Sequence, residues 1–361
     1  MLYWLIYPLH THIGAFNVFR YITFRTALAT LTALVLSLGL GRFLIRKLRI
    51  MQVGQHIREE GPQSHYSKKG TPTMGGILII MAVIIPTLLW ADLANAFVWI
   101  AVSSMLAFGL IGFYDDYRKV TRQRNLGLTA KTKFGLQVLV ATVIGVVLVQ
   151  LAHWGLFTTR FSFPFFKTWT PDLGWFYVVF IVIVIVGAAN AVNLTDGLDG
   201  LAIGSSLIAA ATFAILAYTV GNAVAANYLG IINVKGAGEL TVFCGALVGA
   251  SLGFLWYNCN PAEVFMGDVG SMALGGAIGT VAVLTKQEIL LVMVGGLFVM
   301  EALSVIIQVA SFRLRGRRVF RMAPLHHHFE LLGWPEPKVI IRFWIIALLF
   351  ALMSLSTLKL R

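Results

Sequence analysis

Runs of about 20 apolar residues, each long enough as a helix to cross a hydrocarbon core of about 30 Å, recur along almost the whole chain. A backbone in lipid must satisfy its own hydrogen bonds, which leaves helices or closed barrels, and the alternation expected of barrel strands is absent. The fold class expected is therefore all-α, a polytopic membrane protein. Composition agrees: 58% hydrophobic and 12% charged residues over 361 positions is far too apolar for a soluble domain of this length.

Ten spans can be drawn, at about Tyr21 to Leu44, Thr73 to Trp90, Phe97 to Tyr114, Phe134 to Ala152, Gly174 to Ala191, Leu201 to Val220, Leu240 to Tyr257, Ser271 to Leu284, Ile289 to Phe312 and Val339 to Thr357. The eighth is short and is expected to begin earlier, at about Glu263. Residues Met1 to Arg20 lack a basic n-region and a small-residue cleavage site, so they read as a retained interfacial segment. Loops after the odd-numbered spans carry 20 of the 28 Lys and Arg residues. The positive-inside rule makes those five loops cytoplasmic and puts both termini on the periplasmic or extracellular side. The formal charge of +13 thus reports orientation and anionic headgroups, and no nucleic-acid partner is expected.

Five of the seven aspartates stand at the mouths of spans: Asp115 and Asp116 in FYDDYRK, Asp196 and Asp199 in NAVNLTDGLDGLA, Asp268 in VFMGDVGS. The topology places all five in loops on the cytoplasmic side. Taken singly, Asp268 is explained as an N-cap and Asp196 and Asp199 as turn formers. Five carboxylates on one membrane face are costly unless a cation neutralises them, and an all-oxygen donor set favours Mg²⁺, usually bound together with substrate phosphates.

The loop RLRGRRVFRMAPLHHHFELLGWPEPK adds five arginines and His326, His327 and His328. Three adjacent histidines on one turn cannot all face one zinc ion, so phosphate binding and proton chemistry suit them better. Most of the arginines read as a headgroup-binding belt. In span nine, Glu301, Ser304, Gln308 and Ser311 recur on one helical face, and an acid inside a span is a functional candidate, with a buried interhelical contact as its other reading. Gly295 and Gly296 just before permit a kink. Cys244 and Cys259, about 22 Å apart along one predicted helix, are beyond disulfide reach.

At GTPTMGG, FYDDYRK, NAVNLTDGLDGLA, FMGDVGS and MAPLHHHFELLGWPEPKV the chain resembles the phospho-N-acetylmuramoyl-pentapeptide-transferases of the polyprenyl-phosphate N-acetylhexosamine-1-phosphate transferase superfamily. The resemblance covers nearly the whole chain, and it implies one integral membrane transferase domain over residues 1–361, forming a homodimer in the bacterial cytoplasmic membrane. The implied reaction moves phospho-MurNAc-pentapeptide from its UDP carrier to undecaprenyl phosphate, giving lipid I and UMP, with Mg²⁺ required. Carried over residue by residue, it implies catalytic roles for Asp115, Asp116, Asp268, His326 and His327, with Asp268 the metal ligand. Substrate-binding roles are implied for Lys68, Lys131, Lys133, Asn190, Asn193, Asp196, Gly197, Leu198, Asp199, Asn258, Phe265 and Gln308, Phe265 by stacking on uracil.

Two alternatives stand beside this reading. A UDP-N-acetylglucosamine:polyprenyl-phosphate phosphotransferase would share the aspartate loops and differ in the histidine loop. A transporter would suit ten helices and the intramembrane Glu301, but transporters gather polar residues near the midplane rather than at one face.

Overall fold

The computed structural model describes residues 1–51, 70–121, 127–163 and 169–359. Among them the chain is all-α, with ten long helices: α1 (Ile22–Ile50), α2 (Gly76–Trp90), α3 (Ala96–Thr121), α4 (Ala130–His153), α5 (Phe176–Thr195), α6 (Leu201–Gly221), α7 (Leu240–Asn258), α8 (Gly267–Leu284), α9 (Gly296–Arg315) and α10 (Glu336–Ser356). Nine of these elements, α7 counted from Ala237, are long and apolar enough to cross a membrane. The exception is α2, whose 15 residues reach roughly 22 Å. It starts at Gly76 rather than at Thr73, because Met74 adopts a left-handed φ of 68° that no helix accommodates.

The bundle is organised around α8, in which every residue from Val269 to Leu284 is buried. It packs against α3 and α5, while α7 lies against α1 and α6. Outer helices carry exposed apolar residues such as Val35, Leu110, Val143, Ile183 and Ile306, as surfaces in contact with acyl chains require. Small residues let the inner helices approach closely. A Cβ on Gly76 would lie 2.1 Å from the Gly270 backbone nitrogen, and one on Gly112 would lie 2.1 Å from the Asp268 carbonyl oxygen.

That second contact positions the site, because Gly112 is one helical turn before Asp115 and Asp116. Both aspartates were expected in a loop after Tyr114, but α3 continues to Thr121. No glycine or proline interrupts the segment, Lys119 pairs with Asp115 one turn back, and Arg118 and Lys119 complement the negative helix end. In contrast, α8 starts later than the expected Glu263. Asn260–Pro261 and a left-handed Gly267 (φ 69°) shape the approach, and Asp268 falls in the first helical turn. The expected kink is present as a break: a short helix Leu290–Val294 ends at Gly295, and α9 begins at Gly296.

Buried ion pairs fasten the opposite end of the bundle. Arg25 donates to both carboxylate oxygens of Glu239, at 2.7 and 2.6 Å. Lys286 donates to the Tyr177 hydroxyl at 2.6 Å and lies 3.1 Å from Glu288. Cys244 is buried and Cys259 exposed, and both are free thiols.

Candidate active site

Three carboxylates from two helices meet at one end of the bundle. Asp115, Asp116 and Asp268 each offer an oxygen such that all three lie within 4.8 Å of one another. Asp115 and Asp116 are buried and Asp268 is half-buried. Like charges this close need compensation, which two lysines supply. Lys119 Nζ lies 2.6 Å from Asp115 Oδ2, 2.6 Å from Asp268 Oδ2 and 3.3 Å from Asp116 Oδ1. Lys133, from the first turn of α4, lies 2.9 Å from Asp268 Oδ2 and 3.9 Å from Asp115 Oδ2.

Backbone donors fix the acids further. Leu128 N donates to Asp115 Oδ1 at 2.6 Å, and Val269 N donates to Asp116 Oδ2 at 3.1 Å. Asp116 thus caps α8 from a neighbouring helix, satisfying one of the amides that every helix start leaves open. A Cβ on Gly267 would stand 2.5 Å from Asp116 Oδ2, and the left-handed φ there also favours glycine. Asn193, in the last turn of α5, donates to Asp268 Oδ1 at 2.6 Å and to Ser271 Oγ at 2.9 Å.

The segment after α5 adjoins this cluster. Burial pushes the Asp196 carboxyl up to about 8, and the negative charges of Asp268, Asp116 and Asp199 add to the effect. Three converging carboxylate oxygens are what a hard divalent cation would relieve, and an all-oxygen donor set of this kind suits one.

The remaining expected residues divide by what they touch. Asn190 donates to Gln137 Oε1 at 2.7 Å and to the Val186 carbonyl, tying α5 to α4. Leu198 is buried in an apolar cluster with Leu201, Leu297, Val339 and Phe343. Asp199 Oδ2 accepts from Ala262 N at 3.1 Å and Asn260 at 3.3 Å, and its own amide donates to Glu336. Asn258 accepts from Gly200 N at 3.1 Å and donates to the Val264 carbonyl at 2.8 Å. These two side chains brace the 259–266 segment, which presents Phe265 half-buried between the Pro72 carbonyl and the Gly75 amide.

Gln308 uses its whole amide on the arginine loop, accepting from Val319 N and Phe320 N and donating to the Phe320 carbonyl. Lys131 is exposed, and Lys68 lies outside the described residues. Of the histidines, His326 is fully buried, with Nδ1 3.2 Å from Glu301 Oε1. His327 is half-buried, its Nδ1 2.7 Å from Glu330 Oε2. His328 accepts from Arg321 N at 3.1 Å. The residue that sequence reasoning missed is Lys119. Its signal was the i, i+4 spacing to Asp115, which a span ending at Tyr114 conceals.

Comparison with known proteins places the chain in a family. Residues 98–286 match glycosyl transferase family 4, and residues 68–80 match signature 1 of the phospho-N-acetylmuramoyl-pentapeptide-transferases. Proteins of that name from Desulfatibacillum aliphaticivorans, Syntrophus aciditrophicus (strain SB) and Koribacter versatilis (strain Ellin345) are 62%, 59% and 58% identical, each over 100% of both chains. With its apolar spans, its converging carboxylates and these full-length relatives, the chain belongs to the phospho-N-acetylmuramoyl-pentapeptide-transferases, multi-pass proteins of bacterial membranes.

Proposed function

We propose that the protein transfers phospho-MurNAc-pentapeptide from UDP-MurNAc-pentapeptide to undecaprenyl phosphate, yielding lipid I and UMP, at the cytoplasmic face of the membrane. The observation that carries this reading is the meeting of Asp115, Asp116 and Asp268 with Lys119 and Lys133 at one end of a membrane bundle. Both substrates are phosphates, and the cationic side chains there can offset the repulsion between them. Phosphoryl transfer depends chiefly on in-line placement and charge stabilisation, which a site at the end of rigid helices supplies.

In this reading an oxygen of the lipid phosphate attacks the β-phosphorus of the UDP carrier. A new phosphorus–oxygen bond forms, the bond to the bridging oxygen breaks, and the electron pair leaves with UMP. Mg²⁺, when bound on Asp268, would neutralise pyrophosphate charge. Lys119 and Lys133 are placed to pass from the carboxylates to phosphate oxygens. Direct attack is favoured over a phospho-enzyme because Asp115 and Asp116 are buried and their oxygens accept from Leu128 N, Lys119 and Val269 N, leaving little access for a nucleophilic role.

The homodimer and the cytoplasmic orientation belong to this proposal and rest on the resemblance and on the basic loops. Sealed vesicles with the odd-numbered loops outward, given undecaprenyl phosphate and the impermeant UDP substrate from outside, are expected to release UMP. Release only from vesicles of the opposite orientation would overturn the assigned face.

A further inference from the structure

Glu301 lies inside α9, fully buried, and neither of its carboxylate oxygens has a hydrogen-bond partner among the described residues, although Nδ1 of the His326 imidazole stands 3.2 Å from Oε1. The imidazole is fully buried too, out of contact with solvent. Its other nitrogen, Nε2, also has no hydrogen-bond partner among the described residues. That nitrogen faces a specific place: a Cβ on Gly197 would lie 2.2 Å from it, so the ring edge is pressed against the Gly197 backbone. An acid and an imidazole buried together without other partners are expensive to keep.

The arrangement can be followed to the acidic cluster. Gly197 N donates to the Thr195 carbonyl at 2.9 Å, and Asp196 N donates to the Asn193 carbonyl at 3.4 Å. Asn193 in turn holds Asp268 Oδ1. A continuous set of contacts therefore leads from Glu301 through His326 and the 195–197 turn to Asp268.

We infer that Glu301 is a positioning residue: its carboxylate fixes the His326 ring with the proton on Nδ1, and the ring's opposite edge seats the turn that bears Asp196 and leads back to Asn193 and Asp268. His326 acts through the turn, while His327, half-buried and paired with Glu330, lies nearer to solvent than His326. The inference rests on the transferase reading for its kinetic consequence, and its tautomer arm stands without that reading.

Full-length protein in detergent tests it with Glu301→Leu, Glu301→Gln and His326→Gln. Leucine keeps the buried volume but removes the acceptor and leaves the buried imidazole without its acid, so Glu301→Leu is expected to melt lower than the parent. Its turnover is expected to fall by about 10- to 100-fold, the range seen when groups that orient a functional imidazole are removed. Glu301→Gln, which retains an acceptor oxygen for Nδ1–H, is expected to recover most of that loss. In the double variant Glu301→Leu/His326→Gln the losses should not multiply, because both act through one contact. A folded Glu301→Leu protein with parental turnover, or losses that multiply, would overturn the inference. Nitrogen NMR of ¹⁵N-histidine-labelled parent, assigned by His326→Gln, decides the case even where Glu301→Leu fails to fold: a protonated Nδ1 on His326 is expected, and a bare Nδ1 with the proton on Nε2 alone would refute the orientation. Inactivity of the parent in the same assay would count against the transferase reading alone.

Discussion

Asn193 Nδ2 stands 2.6 Å from Asp268 Oδ1, joining the last turn of α5 to the first turn of α8 across the centre of the acidic cluster. Asp268 Oδ2 meanwhile faces Lys119 and Lys133, so each of its oxygens already has a defined partner. Asp268→Ala is expected to abolish transfer, a loss of at least about 10²–10³ in turnover, with the protein still folded. Asn193→Ala should give a smaller loss, since it frees the carboxylate without removing it. Assays beside thermal melts check both, and robust Mg²⁺-dependent turnover by Asp268→Ala would remove the metal assignment.

Lys119→Met tests whether the three carboxylates are a cation site. Without that ammonium, Asp115, Asp116 and Asp268 repel one another, and the variant is expected to lose about 1–3 kcal/mol of stability, less than a fully buried pair because Lys119 is about one-third exposed. Adding Mg²⁺ should raise its melting temperature more than it raises that of the parent, by mass action on the folded state. Equal shifts in both proteins would count against binding among these residues.

Gly112→Ala probes the close approach of α3 and α8. The new methyl would lie 2.1 Å from the Asp268 carbonyl oxygen, which is backbone and cannot swing aside. Helix separation should cost about 1–3 kcal/mol and carry Asp116 away from Val269 N. The expected outcome is a lower melting temperature together with lost turnover. Parental values of both would show that the helices are not held where described.

Phe265→Ala and Asn258→Ala separate contact from support. Phe265 is half-buried on a braced segment, and its removal is expected to weaken uridine nucleotide binding by about tenfold, as loss of an aromatic stack does, with little change in melting temperature. Asn258→Ala leaves Gly200 N and the Val264 carbonyl without partners, at about 1–3 kcal/mol, and should lower both stability and nucleotide affinity. Calorimetric titration with UMP reads both. Unchanged affinity in Phe265→Ala would count against stacking.

Much of this was legible in the sequence because membrane spans announce themselves by length and hydropathy. The all-α fold, the break at Gly295 and the gathering of Asp115, Asp116 and Asp268 at one end follow from run lengths, glycines and the positions of acids. Helix ends were less legible, since polarity marks where lipid stops and not where a helix stops. The segment Asp115 to Thr121 is polar yet helical, which hid Lys119. The converse holds at Glu263 to Met266, where bends and irregular backbone precede α8. Side-chain partners were the least legible: nothing in one sequence tells that Asn258, Asp199 and Gln308 brace loops, or that Glu301 meets His326 across 25 positions. Such pairs depend on packing between elements distant in the chain.

The central claim is tested most directly by UMP release from the detergent-purified protein with undecaprenyl phosphate and Mg²⁺, comparing UDP-MurNAc-pentapeptide with UDP-N-acetylglucosamine. Turnover with the pentapeptide substrate alone is the predicted result. Turnover with UDP-N-acetylglucosamine alone, or with neither, would contradict the account.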